Sequence, residues 1–238
     1  MTTFNSAVSQ IGLSATVIGH EQINSSVNFN SNTLFPNHYH INFTPFPYPN
    51  SLIVYIFPTT NSGGGIGYAQ VGYPVMGIRS DYLTSKSTFA HEFGHVCGLY
   101  HTRWGTMYNV SPCDTVRGEL KDGCIKLKGI KNYSQKPEYV DNTRINPISG
   151  KRNGEEAGDY IMDTPANPSA SGRIDEYGQT YTTIGNVMDW SFSSLYSYTS
   201  NQKQVIQKYL EDPVFSRIFT KSISGPIAIF NGNTGTFT

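Results

Sequence analysis

The sequence predicts an α+β protein: a twisted mixed sheet carrying helices, followed by a long irregular region anchored by a late helix. Three observations lead there. Leu52 to Phe57 is an unbroken apolar run of β-forming residues, and from Ser87 the apolar positions change to helical spacing. Residues 102 to 185 then lose periodicity and fill with Gly, Asn, Asp and Pro. At 238 residues the chain makes one or at most two domains and can bury a sizeable core.

Residues 1 to 50 alternate polar and apolar positions weakly, interrupted by Pro36, Pro45, Pro47 and Pro49, and read as short strands with turns. The Leu52–Phe57 run ends at Pro58 and reads as a central strand buried on both faces. Gly63 to Gly65 read as a flexible loop, because no Lys-Ser/Thr follows to make a phosphate cradle. Gly67 to Gln70 and Val75 to Arg79 read as two further strands. Phe89, Phe93, Val96 and Cys97 share one face of the next helix, and Gly98 is placed to end it. On that face Cys97 points away from His95 and reads as core. The region from 102 to 185 has the length and composition of a segment that carries function or bound ions. A final helix runs from Ser200 to Glu211: Thr199 and Gln202 form a capping box, and Asp212-Pro213 stops it. Residues 221 to 238 read as a tail or edge strand.

Composition excludes several classes of function. Lys plus Arg number 17 and Asp plus Glu number 17, which gives no basis for a nucleic-acid partner or an acidic membrane surface. No stretch reaches the roughly 20 apolar residues of a membrane helix. Charged residues are only 14%, with 16 Tyr and 13 Phe, a neutral aromatic-rich balance that favours an extracellular protein. Met1 to Gln10 lacks a signal pattern, so an exported protein would correspond to a trimmed chain. Of the three cysteines, Cys113 and Cys124 lie close enough in sequence to pair, which suits an oxidising compartment; three free thiols are the alternative.

The string His91-Glu92-Phe93-Gly94-His95-Val96-Cys97-Gly98-Leu99-Tyr100-His101 carries the chemistry. Residues four apart on a helix lie about 40° apart in azimuth and ~6 Å apart along the axis, so His91 and His95 can share a tetrahedral zinc. Glu92, one step round, reaches a zinc-bound water without being a ligand. Gly98 lets the backbone turn so that His101 supplies a third nitrogen. Three protein ligands leave a fourth position open, as in catalytic zinc sites. His38 and His40 would share one face of a strand, as an accessory metal site or as ordinary histidines.

This string resembles the extended zinc signature of the metzincin peptidases. Asn186-Val187-Met188-Asp189-Trp190 is similar to their Met-turn, with Met188 the apolar base beneath the metal. Gly158-Asp159-Tyr160-Ile161-Met162-Asp163-Thr164-Pro165 and Leu99-Tyr100-His101-Thr102 resemble the pappalysin (cytophagalysin) family. The resemblance covers roughly residues 50 to 210. It departs from that family in having Trp190 where a Tyr is usual, so no oxyanion helper is assigned, and in having cysteines in its C-terminal half for one disulfide, Cys113 with Cys124, rather than two.

The resemblance implies a metzincin-like catalytic domain: an upper subdomain, residues 1–101, ending in the active-site helix; a lower subdomain, 102–220, with the Met-turn; and a tail, 221–238. It implies a secreted, monomeric zinc endopeptidase whose Glu92 is the general base, acting on protein or peptide substrates paired to an edge strand at Gly67, Tyr68 and Ala69. A zinc amidase acting on a small substrate and a metal-stabilised adhesion module are the alternatives. Calcium is expected among Asp114, Asp122, Asp141, Asp159 and Asp163, with solvated loop carboxylates the alternative. Ser191 to Tyr196, after the Met-turn, carry no acid, so no preference for Arg or Lys after the cleaved bond is expected.

Overall fold

The computed structural model describes residues 1–22, 51–57, 65–69, 71–102, 138–147, 149–167, 174–175, 177–182, 185–189, 197–212 and 224–231. It is a mixed α+β structure, as the pattern of elements predicts. Its sheet is built from β1 (Ser14–Gln22), β2 (Leu52–Phe57), β3 (Gly67–Ala69), β4 (Val75–Arg79) and β5 (Ser224–Asn231), in the order β1-β5-β2-β4-β3. All neighbours are parallel except β3, which runs antiparallel to β4 and lies at one end of that order. The apolar run forms β2, flanked by β4 and β5, and Leu52, Ile53 and Val54 are buried. A strand with a parallel partner on each side needs apolar residues in sequence, not in alternation.

Two readings are corrected. The first residues form a helix, α1 (Thr2–Val8), whose Phe4, Ala7 and Val8 are buried at helical spacing. Residues 221–238, read as a tail or edge strand, instead contribute β5, an interior strand. β1 and β2 supply its hydrogen-bond partners from far away in sequence.

The helix α2 (Lys86–Val96) carries the histidine string. Ser85 caps it, its hydroxyl accepting from the Thr88 amide at 3.2 Å, an interaction worth about 1 kcal/mol. Phe89, Phe93, Val96 and Cys97 are buried, and Phe4 of α1 meets Phe89 and Phe93 edge-on at centroid distances of 5.8 and 5.6 Å. Such edge contacts contribute about 0.5–1.5 kcal/mol beyond area burial. Gly98 terminates the helix with φ +86°; its amide donates to His95 O and the Leu99 amide to Gly94 O, both at 2.9 Å. That pair of bonds is the Schellman motif, which needs a left-handed residue at Gly98.

The chain divides into two compact units, one comprising Met1–Leu99, Ser194–Tyr198 and Lys203–Thr238, the other Tyr100–Ser193 and Thr199–Gln202. Among its described residues the second holds a short helix, α3 (Asn153–Glu156), two isolated bridges, and an interior rich in polar groups: Glu138, Asn153, Asp159, Thr164, Asn186 and Asp189 are all buried. The last helix, α4 (Ser200–Glu211), has the predicted bounds, and its capping box is reciprocal: Thr199 N donates to Gln202 Oε1 at 2.9 Å and Gln202 N to Thr199 Oγ1 at 3.2 Å. Among the described residues no helix is long and apolar enough to cross a membrane.

Candidate metal centre

The three histidines of the string lie close together, their ligand atoms all within 4.8 Å of one another. Among the described residues no other group of three or more His, Cys, Asp or Glu side chains is placed to share an ion. His91 and His95 emerge from adjacent turns of α2 with ring planes 89° apart and their Nε2 atoms separated by 3.2 Å. Zinc bound tetrahedrally through nitrogens at about 2.05 Å requires ligand atoms about 3.3 Å apart, so this pair fits zinc. His95 Nδ1 lies 2.8 Å from Leu99 O. A carbonyl oxygen only accepts, so Nδ1 holds the proton and Nε2 presents its lone pair to an ion. The Schellman turn therefore does two things. It ends the helix, and it delivers the Leu99 carbonyl that sets the His95 tautomer.

Glu92 lies between these histidines in sequence and is buried, and burial pushes its carboxyl well above the ordinary carboxylate range. It packs against the backbone of β3: a Cβ built on Gly67 would stand 2.5 Å from Glu92 Oε1 and 2.8 Å from its Cγ. Gly67 is thus required for close approach of the strand to the acid. Tyr68 and Ala69 continue that strand, half-buried, paired with Gly77 and Met76 of β4. Cys97 is buried and free, and burial pushes its thiol up, which agrees with a core residue.

Met188 is fully buried in a turn closed by Asp189 N donating to Asn186 O at 2.9 Å. Asn186 Oδ1 accepts from Met188 N at 2.8 Å and from Gln202 Nε2 at 3.0 Å, so the cap residue of α4 also braces the turn. Thr102, next to His101, donates its amide to Met188 O at 3.1 Å.

No protein-family model, curated protein or solved structure matches this chain. What the site can do therefore rests on its own geometry.

Of the aspartates proposed for calcium, the described ones, Asp141, Asp159 and Asp163, form no group placed to share an ion. Asp141 is half-buried beside Thr143 and 3.7 Å from Arg144, and Asp163 accepts from Thr199 Oγ1 at 2.6 Å and Asn201 N at 2.9 Å, at the start of α4. Asp159 is the buried one. It accepts from Ile161 N and Thr164 Oγ1, and burial raises its pKa to about 7. Its neighbour is Glu138, which sequence reasoning missed. Burial, then the charge of Asp159, push Glu138 to about 9, although Asn142 donates to one of its oxygens. The other, Oε2, is buried without a hydrogen-bond partner, against Gly158, whose φ is +60°. Only burial marks Glu138, and burial of an acid in an irregular loop has no local sequence signal. Tyr198, also missed, donates its buried hydroxyl to Ala90 O on the helix face beside His91. Cys113, Cys124, Asp114, Asp122, His38, His40, Trp190 and residues 191–196 lie outside the described residues.

Proposed function

We propose that this protein is a secreted zinc-dependent endopeptidase of the metzincin type, similar to the pappalysins, with His91, His95 and His101 as metal ligands and Glu92 as the general base. The observation that carries the reading is the His91–His95 pair, 3.2 Å apart with the His95 tautomer fixed by Leu99 O, beside a buried Glu92. Zinc bound there supplies Lewis acidity, polarising a peptide carbonyl and acidifying water. Glu92 accepts a proton from the attacking water at a carboxylate oxygen and passes it to the departing amine nitrogen. The outer edge of β3 offers backbone N–H and C=O groups to an extended peptide, and Gly67 brings that edge against Glu92. Met188 and its braced turn stand next to the segment that carries His101. The neutral, low-charge composition supports the extracellular assignment.

Incubation of the zinc-loaded protein with casein or gelatin tests this reading. Internal cleavage that a chelator abolishes and zinc restores is the expected result. Zinc binding without any cleavage of proteins would shift the assignment to a small-amide hydrolase, or to a metal-stabilised binding module if small amides also survive.

A further inference from the structure

His95 is held at both its backbone and its ring, and the residues that hold it converge on one further side chain. Its carbonyl oxygen accepts from two glycine amides, Gly72 N and Gly98 N, both at 2.9 Å. Its ring Nδ1 is held by Leu99 O, one residue beyond Gly98. Both glycines have positive φ, +79° and +86°. Both also lie against Tyr209 of α4. A Cβ on Gly98 would overlap the Tyr209 ring, with Cδ2 at 2.7 Å and Cζ at 3.2 Å, and a Cβ on Gly72 would overlap its hydroxyl and stand 3.2 Å from Cζ. One half-buried tyrosine therefore covers the two residues whose amides fix the His95 backbone, and covers the turn that carries the Leu99 carbonyl.

We propose that Tyr209 is a positioning residue of the metal centre: its ring clamps the Gly72 and Gly98 turns and so holds His95 in the orientation and tautomer that bind the ion. The proposal rests on the reading of the histidines as a metal centre. Tyr209 is not one of the three candidate ligand residues; it acts through Gly98 and Leu99. Partners at this remove from an ion change metal affinity by about 10–100-fold when lost. Packing against a helix terminus has a second, purely structural consequence, stability, and the two effects separate experimentally.

The test measures the zinc dissociation constant of the full chain by chelator competition, with the visible spectrum of the cobalt-substituted protein as a second readout. Tyr209→Leu removes the ring. Tyr209→Met keeps a longer apolar side chain and covers the case in which the Leu variant does not fold. Both are expected to bind zinc about tenfold or more weakly and to alter the cobalt spectrum. Tyr209→Phe, which keeps the ring on Gly98, is expected to stay within about threefold of the wild type. Ile206→Val, one turn earlier and fully buried on α4, controls for lost stability and should leave zinc affinity unchanged. Wild-type affinity in the Leu or Met variant would overturn the proposal, as would an equal loss in Ile206→Val. A wild-type chain that binds no zinc would instead refute the reading of the histidines.

Discussion

Neutralising Glu138 should remove a pH dependence that its burial builds into the unit containing it. The side chain is wholly buried, one oxygen takes a hydrogen bond from Asn142 at 2.8 Å, and the other takes none. Its pKa rises from 4.5 to about 9 through burial first and the charge of Asp159 second. The folded value lies above the unfolded one, so folding favours the neutral acid. Stability from this group is fully present below pH 4.5 and is lost as pH rises toward about 9. Each pH unit in that window costs about 1.4 kcal/mol, so raising pH from about 5 to about 7 costs about 2.5 kcal/mol. For a chain of this length that is a fall of roughly 5–10 °C in melting temperature. Glu138→Gln keeps the shape and the acceptor for Asn142 but cannot ionise. Asp159 titrates in both proteins, so comparing thermal unfolding of wild type and variant at both pH values, with chelator present, isolates Glu138. The wild type should lose about 2.5 kcal/mol more than the variant between them. Parallel losses would show that Glu138 is already ionised in the folded protein and would refute the reasoning.

Five further outcomes are expected. Glu92→Ala should keep its zinc and lose proteolysis by at least about 10²-fold, because the base is not a ligand, whereas His101→Ala should lower zinc content by atomic absorption. Gly67→Ala places a methyl group 2.5 Å from Glu92 Oε1 and should lower activity by about 10²-fold with zinc content unchanged; full activity would remove β3 from the site. Thiol titration of the denatured, non-reduced chain should count one free thiol, Cys97, and a count of three would contradict a Cys113–Cys124 bridge. Calcium added at constant zinc should raise the melting temperature if oxygen ligands gather beyond Asp141, Asp159 and Asp163, and indifference would count against a calcium role.

What was legible in the sequence was what short-range spacing encodes. The α2 helix, its end at Gly98 and the placing of His91 and His95 depend on residues three to five apart, and α4 on a capping box four residues long, so each could be read locally. The strand at Leu52–Phe57 was legible because two parallel neighbours demand an unbroken apolar run. The helix at Thr2–Val8 was not. Seven residues give only Phe4, Ala7 and Val8 as a face, too few to outweigh the surrounding Ser, Thr and Asn, and its stability comes from Phe89 and Phe93 far along the chain. A strand at β5 was one of two readings, but its interior position was missed for the same physical reason, since its place between β1 and β2 is set by pairing across more than 150 residues.

The candidate site divides along the same line, and the division explains why its motif is so short. Ligand spacing is a property of one helix and the turn that ends it, so eleven residues suffice to specify it. The groups packed around those residues come from elsewhere: Gly72 donates to His95 O, Gly67 makes room for Glu92, Tyr198 donates to the Ala90 carbonyl, and Tyr209 covers both Gly72 and Gly98. Each is a small residue at a close approach or a tyrosine on a helix carbonyl or a glycine. Such residues have many other uses, and none is marked by its neighbours in sequence. The motif thus names residues that could share an ion, while the fold decides that His91 and His95 stand 3.2 Å apart with Nδ1 of His95 on the Leu99 carbonyl.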